Sequence, residues 1–344
     1  MAYLLAALAV VASYCVAAWL AYALVVQSFV RVPWQFVAGV AGLVLGVIVA
    51  VSAARAWQLR LGGEEVASWL GAREIDPERC MPKERQLLNV VSEMSIASGV
   101  REPPVYLLPD DAVNALVAGH SAEDAVLIVT RGALEHLSRD ELQGVLGHEY
   151  SHILNGDMAL NLRLACVLAG LSWIGQCGEE MFWQDAAVAR RGNRENAAGP
   201  LALLGIVLAF VGFPGVLAAD AVKAAISRER ERLADAASVQ FTRNPEGLAG
   251  ALDSIRFLRA HTNVTVSHAL ELSHMFFAPL AGRWWSFASH PSLEERIAAL
   301  DPGFDRAGYR ERRHGVRREV AVLDGGDVVG YLPLDGGAAA RARR

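Results

Sequence analysis

Gly147-His148-Glu149-Tyr150-Ser151-His152, inside the longer run from Ser138 to Asp157, sets the reading of the whole chain. Two imidazoles stand four residues apart, with a carboxylate directly after the first. On an α-helix, positions i and i+4 share a face one turn apart. His148 and His152 can therefore bind one Zn2+ through their ring nitrogens. Glu149 then stands beside the metal, placed to take a proton from a water that the metal acidifies. The helix is legible too. Ser138-Arg139-Asp140-Glu141 is a capping-box pattern that puts two acids in the first turn. Leu142, Val145, Leu146, Ile153 and Leu154 fall at helical spacing, and Asn155-Gly156 supplies the stop.

Composition places this helix in an unusual setting. Lys and Arg number 32 against 37 Asp and Glu, a net charge of −5 with no basic concentration, which excludes a nucleic-acid binder. A mean hydropathy of +0.27 and 53% hydrophobic residues point away from an ordinary soluble enzyme. The reason lies in the distribution: residues 1–30 and 32–54 contain no charged side chain. Each run is long enough to cross a hydrocarbon core of about 30 Å. The first is not read as a signal peptide, because it lacks a basic start, its apolar run is too long, and a second spanning run follows at once. Arg55, Arg60 and Arg73 follow the second run, against Arg31 alone in the turn. By the positive-inside rule the turn faces out and the chain after Ala54 starts in the cytoplasm. Trp34 and Trp57 stand where interfacial aromatics are expected. None of the four cysteines has C-x-x-C spacing, three lie in apolar stretches as small hydrophobes, and none is read as a disulfide partner or ligand.

Taken in order, residues 1–55 read as an N-terminal transmembrane hairpin and Gly62-Gly63 as a linker. Residues 56–158 and 221–312 read as a zinc metallopeptidase domain. Residues 83–98 form an amphipathic helix, and residues 105–108, 113–118 and 126–130 form strands. Residues 159–220 are an inserted apolar hairpin, read as membrane-embedded. A re-entrant or domain-packed pair is the alternative, because the basic run 190–194 at its tip goes against the charge rule. Helices are expected at 221–242, 246–259 and 291–300. Residues 261–277 have no clear period and are read as mobile. Residues 313–344 read as a β-hairpin around 320–332 followed by a disordered basic tail. The fold class is α+β: a mainly helical zincin-type domain with a small β-sheet, plus transmembrane helices.

A catalytic zinc site usually has three protein ligands. Met158 stands six residues after His152, where a histidine would be needed for the metzincin pattern, so the third ligand is a downstream carboxylate. Glu179, Glu180, Glu195, Glu229 and Glu231 compete. Glu231 is best supported, because it shares a helix face with Ser227, Ala234, Asp235 and Ser238, small or polar residues that let another helix approach. Asp235, one turn on, can accept a hydrogen bond from a ligand imidazole. Glu229 lies on another face beside Arg232 and reads as a solvated ion pair. His120, His136, His261, His268, His274 and His314 read as surface or loop residues.

The runs His148-Glu149-Tyr150-Ser151-His152 with Asn155-Gly156-Asp157, and Ser227-Arg228-x-Arg230-Glu231-x-x-Ala234-Asp235, resemble the HtpX and CAAX-prenyl-protease superfamily of membrane zinc peptidases. Val113-Asn114-Ala115-Leu116, Ser289-His290-Pro291 and Arg296 extend the likeness over most of residues 1–300. The resemblance implies His148, His152 and Glu231 as ligands of one zinc per chain and Glu149 as general base. It further implies that Asn114 and His290 hold the substrate carbonyl as its oxyanion forms, with Arg296 structural. Leu116-Val117 departs from the pattern, since relatives commonly carry an aromatic there. The expectation is a membrane zinc endopeptidase acting on proteins or peptides beside the bilayer, with its catalytic domain facing the cytoplasm. Misfolded membrane proteins are the substrates that the resemblance suggests. The rivals are a protease confined to lipidated C-terminal peptides and an inactive membrane scaffold.

Overall fold

A computed structural model describes residues 2–27, 32–191, 199–257, 269, 272–278, 291–314, 319–324 and 327–333. Helices α1 (Ala2–Val26) and α2 (Trp34–Gln58) form the first apolar pair. A 3-10 turn at Leu59–Leu61 leads into α3 (Gly63–Leu70), β1 (Arg73–Glu74) and α4 (Pro82–Ser98). Strands β2 (Val105–Leu108), β3 (Ala115–Ala118) and β4 (Val126–Thr130) follow, then α5 (Arg131–His136) and α6 (Arg139–Leu154). The second apolar pair is α7 (Asp157–Arg191) and α8 (Pro200–Thr242). Then come α9 (Pro245–Phe257), α10 (Leu293–Leu300), α11 (Arg306–His314), β5 (Glu319–Asp324) and β6 (Asp327–Pro333).

Four of these helices are long and apolar enough to cross a membrane. They pack around Val10, Tyr14, Val44, Ile48, Leu168, Leu171 and Val222. Large apolar side chains face outward along them: Leu8, Leu24, Leu43, Val49, Leu203 and Phe210 are all exposed. An outward apolar surface of this extent is stable only against lipid or another apolar partner. Trp34 and Trp57 are exposed at the two ends of α2, as interfacial aromatics would be. The α7–α8 seam is built from glycines. A Cβ on Gly178 would meet the Gly205 carbonyl oxygen at 2.7 Å, and one on Gly175 the Gly212 carbonyl oxygen at 3.0 Å. Small residues at such positions let helix backbones approach closely in a membrane.

Helix α8 joins two segments that the sequence reading kept apart. Its 43 residues extend about 64 Å at 1.5 Å per residue, roughly twice a hydrocarbon core. The apolar first half and the charged second half, with Glu231, are one continuous helix with Pro214 inside it.

The four-stranded sheet has the order β1-β2-β4-β3, with β2 and β4 parallel and the other pairs antiparallel. Alternation along the strands covers both faces. Val105, Leu107, Ala115, Val117, Leu127 and Val129 join α4, α6 and α9 in one core. Leu108, Leu116, Ala118, Val126 and Ile128 join α3 and the base of α7 in another. Gly62-Gly63 is not a loose linker. It is a packed joint in which a Cβ on Gly63 would lie 2.5 Å from the Ala118 carbonyl oxygen.

Residues 272–278 differ from the mobile stretch expected. Leu272, Phe276, Phe277 and Ala278 are fully buried, and His274, read as a surface residue, is buried against the Asn161 carbonyl. Turns carry no period, so their burial is invisible to a periodicity argument. Helix α11 was not anticipated either. Its arginines meet buried acids: Arg310 pairs with Asp253 at 2.7 Å and Arg313 with Glu141 at 2.6 Å.

Gly178→Leu is expected to cost more than about 2 kcal/mol through overpacking of the α7–α8 seam. Gly46→Leu on the open face of α2, where nothing lies within 4 Å, is expected to stay within about 0.5 kcal/mol of the native protein. Thermal unfolding of both variants in one detergent checks the contrast.

Candidate metal centre

Helix α6 forms as its sequence requires. The Ser138 hydroxyl accepts from the Glu141 N–H at 3.3 Å, and the Glu141 carboxylate accepts from the Ser138 N–H at 2.7 Å. Gly144 opens α6 to α9, where a Cβ would lie 2.7 Å from the Leu248 nitrogen, and Gly147 opens it to α8. A Cβ on Gly147 would lie 2.9 Å from the Ser238 hydroxyl, which itself donates to the Gly144 carbonyl at 2.6 Å. α8 therefore lies directly against α6 and delivers Glu231 to the two histidines.

The ligand atoms converge. His148 Nε2 and His152 Nε2 are 3.2 Å apart, and Glu231 oxygens lie 3.7 Å from the first and 3.8 Å from the second. Three tetrahedral ligands at zinc distances of about 2.0–2.1 Å are separated by about 3.3 Å. The donor set and spacing therefore fit one such ion. Among the described residues, this is the one group of three His, Cys, Asp or Glu side chains so arranged. Of the competing carboxylates, Glu229 is exposed and pairs with Arg232 at 3.3 Å. Glu179 and Glu180 lie far along α7, and Glu195 is outside the described residues.

Each imidazole is oriented from behind. Asp235 Oδ1 accepts from His148 Nδ1 at 2.9 Å, which leaves Nε2 for a metal. Asp235 is itself gripped by the buried Arg296 guanidinium, at 2.9 Å through Nε and 2.6 Å through Nη2. Asp157 does the same for His152, at 3.1 Å from its Nδ1, and faces Arg230 Nε at 3.5 Å. Asp235 is legible in the sequence as such a partner, and Asp157 is not. The available signal was an acid placed just past the helix stop, where the chain turns back beside His152.

Burial holds the His148 imidazole below the usual histidine range, favouring the neutral form that ligation needs. His152 is also desolvated, but Asp157 and Glu231 outweigh this and hold it above that range. Burial pushes the Glu149 carboxyl up to about 8. Glu149 is fully buried, and neither of its oxygens has a hydrogen-bond partner. Such an orphaned acid is costly unless water or an ion completes it. It points to a reaction centre that is incomplete as protein alone.

Asn114 sits just ahead of β3 and is buried. Its Nδ2 donates to the Ala278 carbonyl and its Oδ1 accepts from the Ala278 N–H, both at 3.0 Å. His290 lies outside the described residues. Arg296, read as structural, is buried and binds Asp235.

The sequence pattern of "Peptidase family M48" matches residues 82–302. A "Protease HtpX homolog" of Caldanaerobacter subterraneus subsp. tengcongensis is 34% identical over 275 residues, covering 78% of this chain and 86% of its own. Another, from Levilactobacillus brevis, is 35% identical over 246 residues, covering 69% of this chain and 78% of its own. The crystal structure of S. mikatae Ste24p aligns with a TM-score of 0.42 at 16% identity, over 78% of this chain and 57% of that one. By the family pattern matched over residues 82–302 and its relatives at 34–35% identity, and with a His-His-Glu metal-binding group and four membrane-length helices, the chain belongs to peptidase family M48 as an integral membrane metalloprotease.

Proposed function

We propose that the chain is a zinc-dependent endopeptidase, with one zinc held by His148, His152 and Glu231 and with Glu149 as general base. The observation that carries this reading is the orphaned Glu149 carboxylate beside three converging ligand atoms. Zinc, when bound, supplies a Lewis acid that polarises the scissile carbonyl and acidifies the attacking water. Glu149 takes the proton of that water and later gives it to the amine nitrogen as the C–N bond breaks. Burial raises the proton affinity of the Glu149 carboxylate above that of an exposed one, which favours its taking the proton. Asp235 and Asp157 keep the two imidazoles in the ligating tautomer, and Arg296 fixes Asp235. Asn114 binds both the N–H and the C=O of one residue, which suits it to gripping substrate main chain. His290 is left as the residue that holds the carbonyl oxygen as negative charge develops.

The substrates on this reading are protein or peptide chains presented at the bilayer, misfolded membrane proteins among them. Support comes from α8, which is membrane helix and ligand donor in one piece. The catalytic part, residues 56–158 and 221–312, faces the cytoplasm on this proposal, on the ground of Arg55, Arg60 and Arg73 after α2.

Casein cleavage and zinc content decide between this reading and an inactive scaffold. Glu149→Gln is expected to keep about one zinc per chain and to lose activity by a factor of about 10³. A native protein without zinc, or a variant that cleaves like the native one, sinks the assignment. Asp157→Asn is expected to weaken zinc affinity about 10–100-fold, measured by competition with a chelating dye; unchanged affinity would remove Asp157 from the site. For orientation, a membrane-impermeant maleimide should label Cys80 only after cells are permeabilised. Labelling in intact cells would reverse the topology.

A further inference from the structure

Strand β3 is an edge strand, and the chain covers its open side with its own residues. Antiparallel pairing sends alternate residues to opposite edges, and the Ala115 carbonyl points away from β4. It accepts from the Phe277 N–H at 2.8 Å. The Phe277 carbonyl accepts from Arg296 Nη1 at 2.9 Å. The next residue, Ala278, gives its N–H to Asn114 Oδ1 and its C=O to Asn114 Nδ2. All four main-chain polar groups of this dipeptide are thus held by the sheet edge, by Asn114 and by Arg296. The Phe277 ring lies edge-on to the His148 imidazole, with centroids 5.0 Å apart, and under the Arg296 guanidinium at 4.6 Å.

Main-chain recognition of this kind does not depend on the sequence of the occupant, and extended peptides commonly bind by adding to a sheet edge. What selects is the ring position, a buried apolar slot against a proposed metal ligand. The direction of the occupant is also fixed. Phe277 pairs with Ala115 and Ala278 with Asn114, so it runs antiparallel to β3. The Val117 backbone, two residues further along β3, lies beside the Glu149 carboxylate. The reacting end of the cradle therefore lies on the N-terminal side of Phe277.

We propose that Phe277-Ala278 is an internal stand-in for substrate. A peptide binds by displacing it, with a bulky apolar side chain, aromatic for preference, in the place of Phe277 and immediately after the bond to be cut. This rests on the peptidase reading above and adds to it a specificity and a self-capped resting state.

The test uses the full-length, zinc-loaded protein in detergent, with zinc measured in every sample. Phe277→Ala is compared with the native protein on a pool of quenched fluorescent peptides, and product N-termini are read by mass spectrometry. A weaker internal competitor should lower KM roughly fivefold or more, and the new N-termini should be mainly Phe, Tyr, Leu and Met. In a second variant, Phe277→Cys, alkylation at position 277 by iodoacetamide should quicken about tenfold when a peptide hydroxamate saturates the site. A zinc-loaded Phe277→Ala that cleaves no better than the native protein overturns the proposal. So do product N-termini of no particular class, or a labelling rate at position 277 that the hydroxamate leaves unmoved. Absence of zinc and of cleavage from native and variant proteins alike would instead overturn the peptidase reading on which it stands.

Discussion

The close crossing of α6 and α8 is the contact on which the centre depends. One helix brings two imidazoles and the other brings a carboxylate, and their ligand atoms can meet only if the backbones nearly touch. Gly147 on one side and Ser238 on the other permit this, and the Ser238 hydroxyl ties the helices at the Gly144 carbonyl. A larger side chain at position 147 would meet Ser238 and push α8, with Glu231, away from the two histidines. Because α8 begins in the membrane bundle, the crossing also ties the centre to the packing of the apolar hairpins.

Around that crossing the structure concentrates charge in a dry setting. Glu149, Glu231, Asp235 and Arg296 are all buried. Burying ions is costly, and their mutual attraction offsets the cost only when the geometry is good. Arg296 meets that condition. It binds Asp235 through two nitrogens and spends a third on the Phe277 carbonyl. One cation thereby orients a histidine through its acid partner and anchors the chain that covers β3. No side chain pairs with Glu149 by hydrogen bond, and that is the group proposed to do proton transfer.

The covered strand edge settles a problem common to small sheets. An open edge beside apolar residues invites pairing with other chains. Here Phe277 and Ala278 occupy it, while Leu272, Met275 and Phe276 pack on the opposite face of the sheet. The segment wraps the edge from one face to the other, which accounts for its burial despite its lack of regular structure.

Much of this was readable along the chain. Helix α6 announces itself by a capping box, a 3.6-residue apolar period and an Asn-Gly stop. The apolar helices follow from uninterrupted runs without charge, and β2 and β4 match their expected bounds. Glu231 and Asp235 could be singled out because the small residues beside them share their helix face. These are local signals, carried by neighbours within a turn or two. Tertiary structure alone decided what depends on distant partners. Asp157 reaches His152 because the chain reverses after α6, and Asn114 grips a residue 164 positions away. The arginines of α11 look like a solvated run until Asp253 and Glu141 are seen buried opposite them. Periodicity reports which face of an element is apolar; it carries no information on which remote groups a turn, an edge or a buried acid will meet.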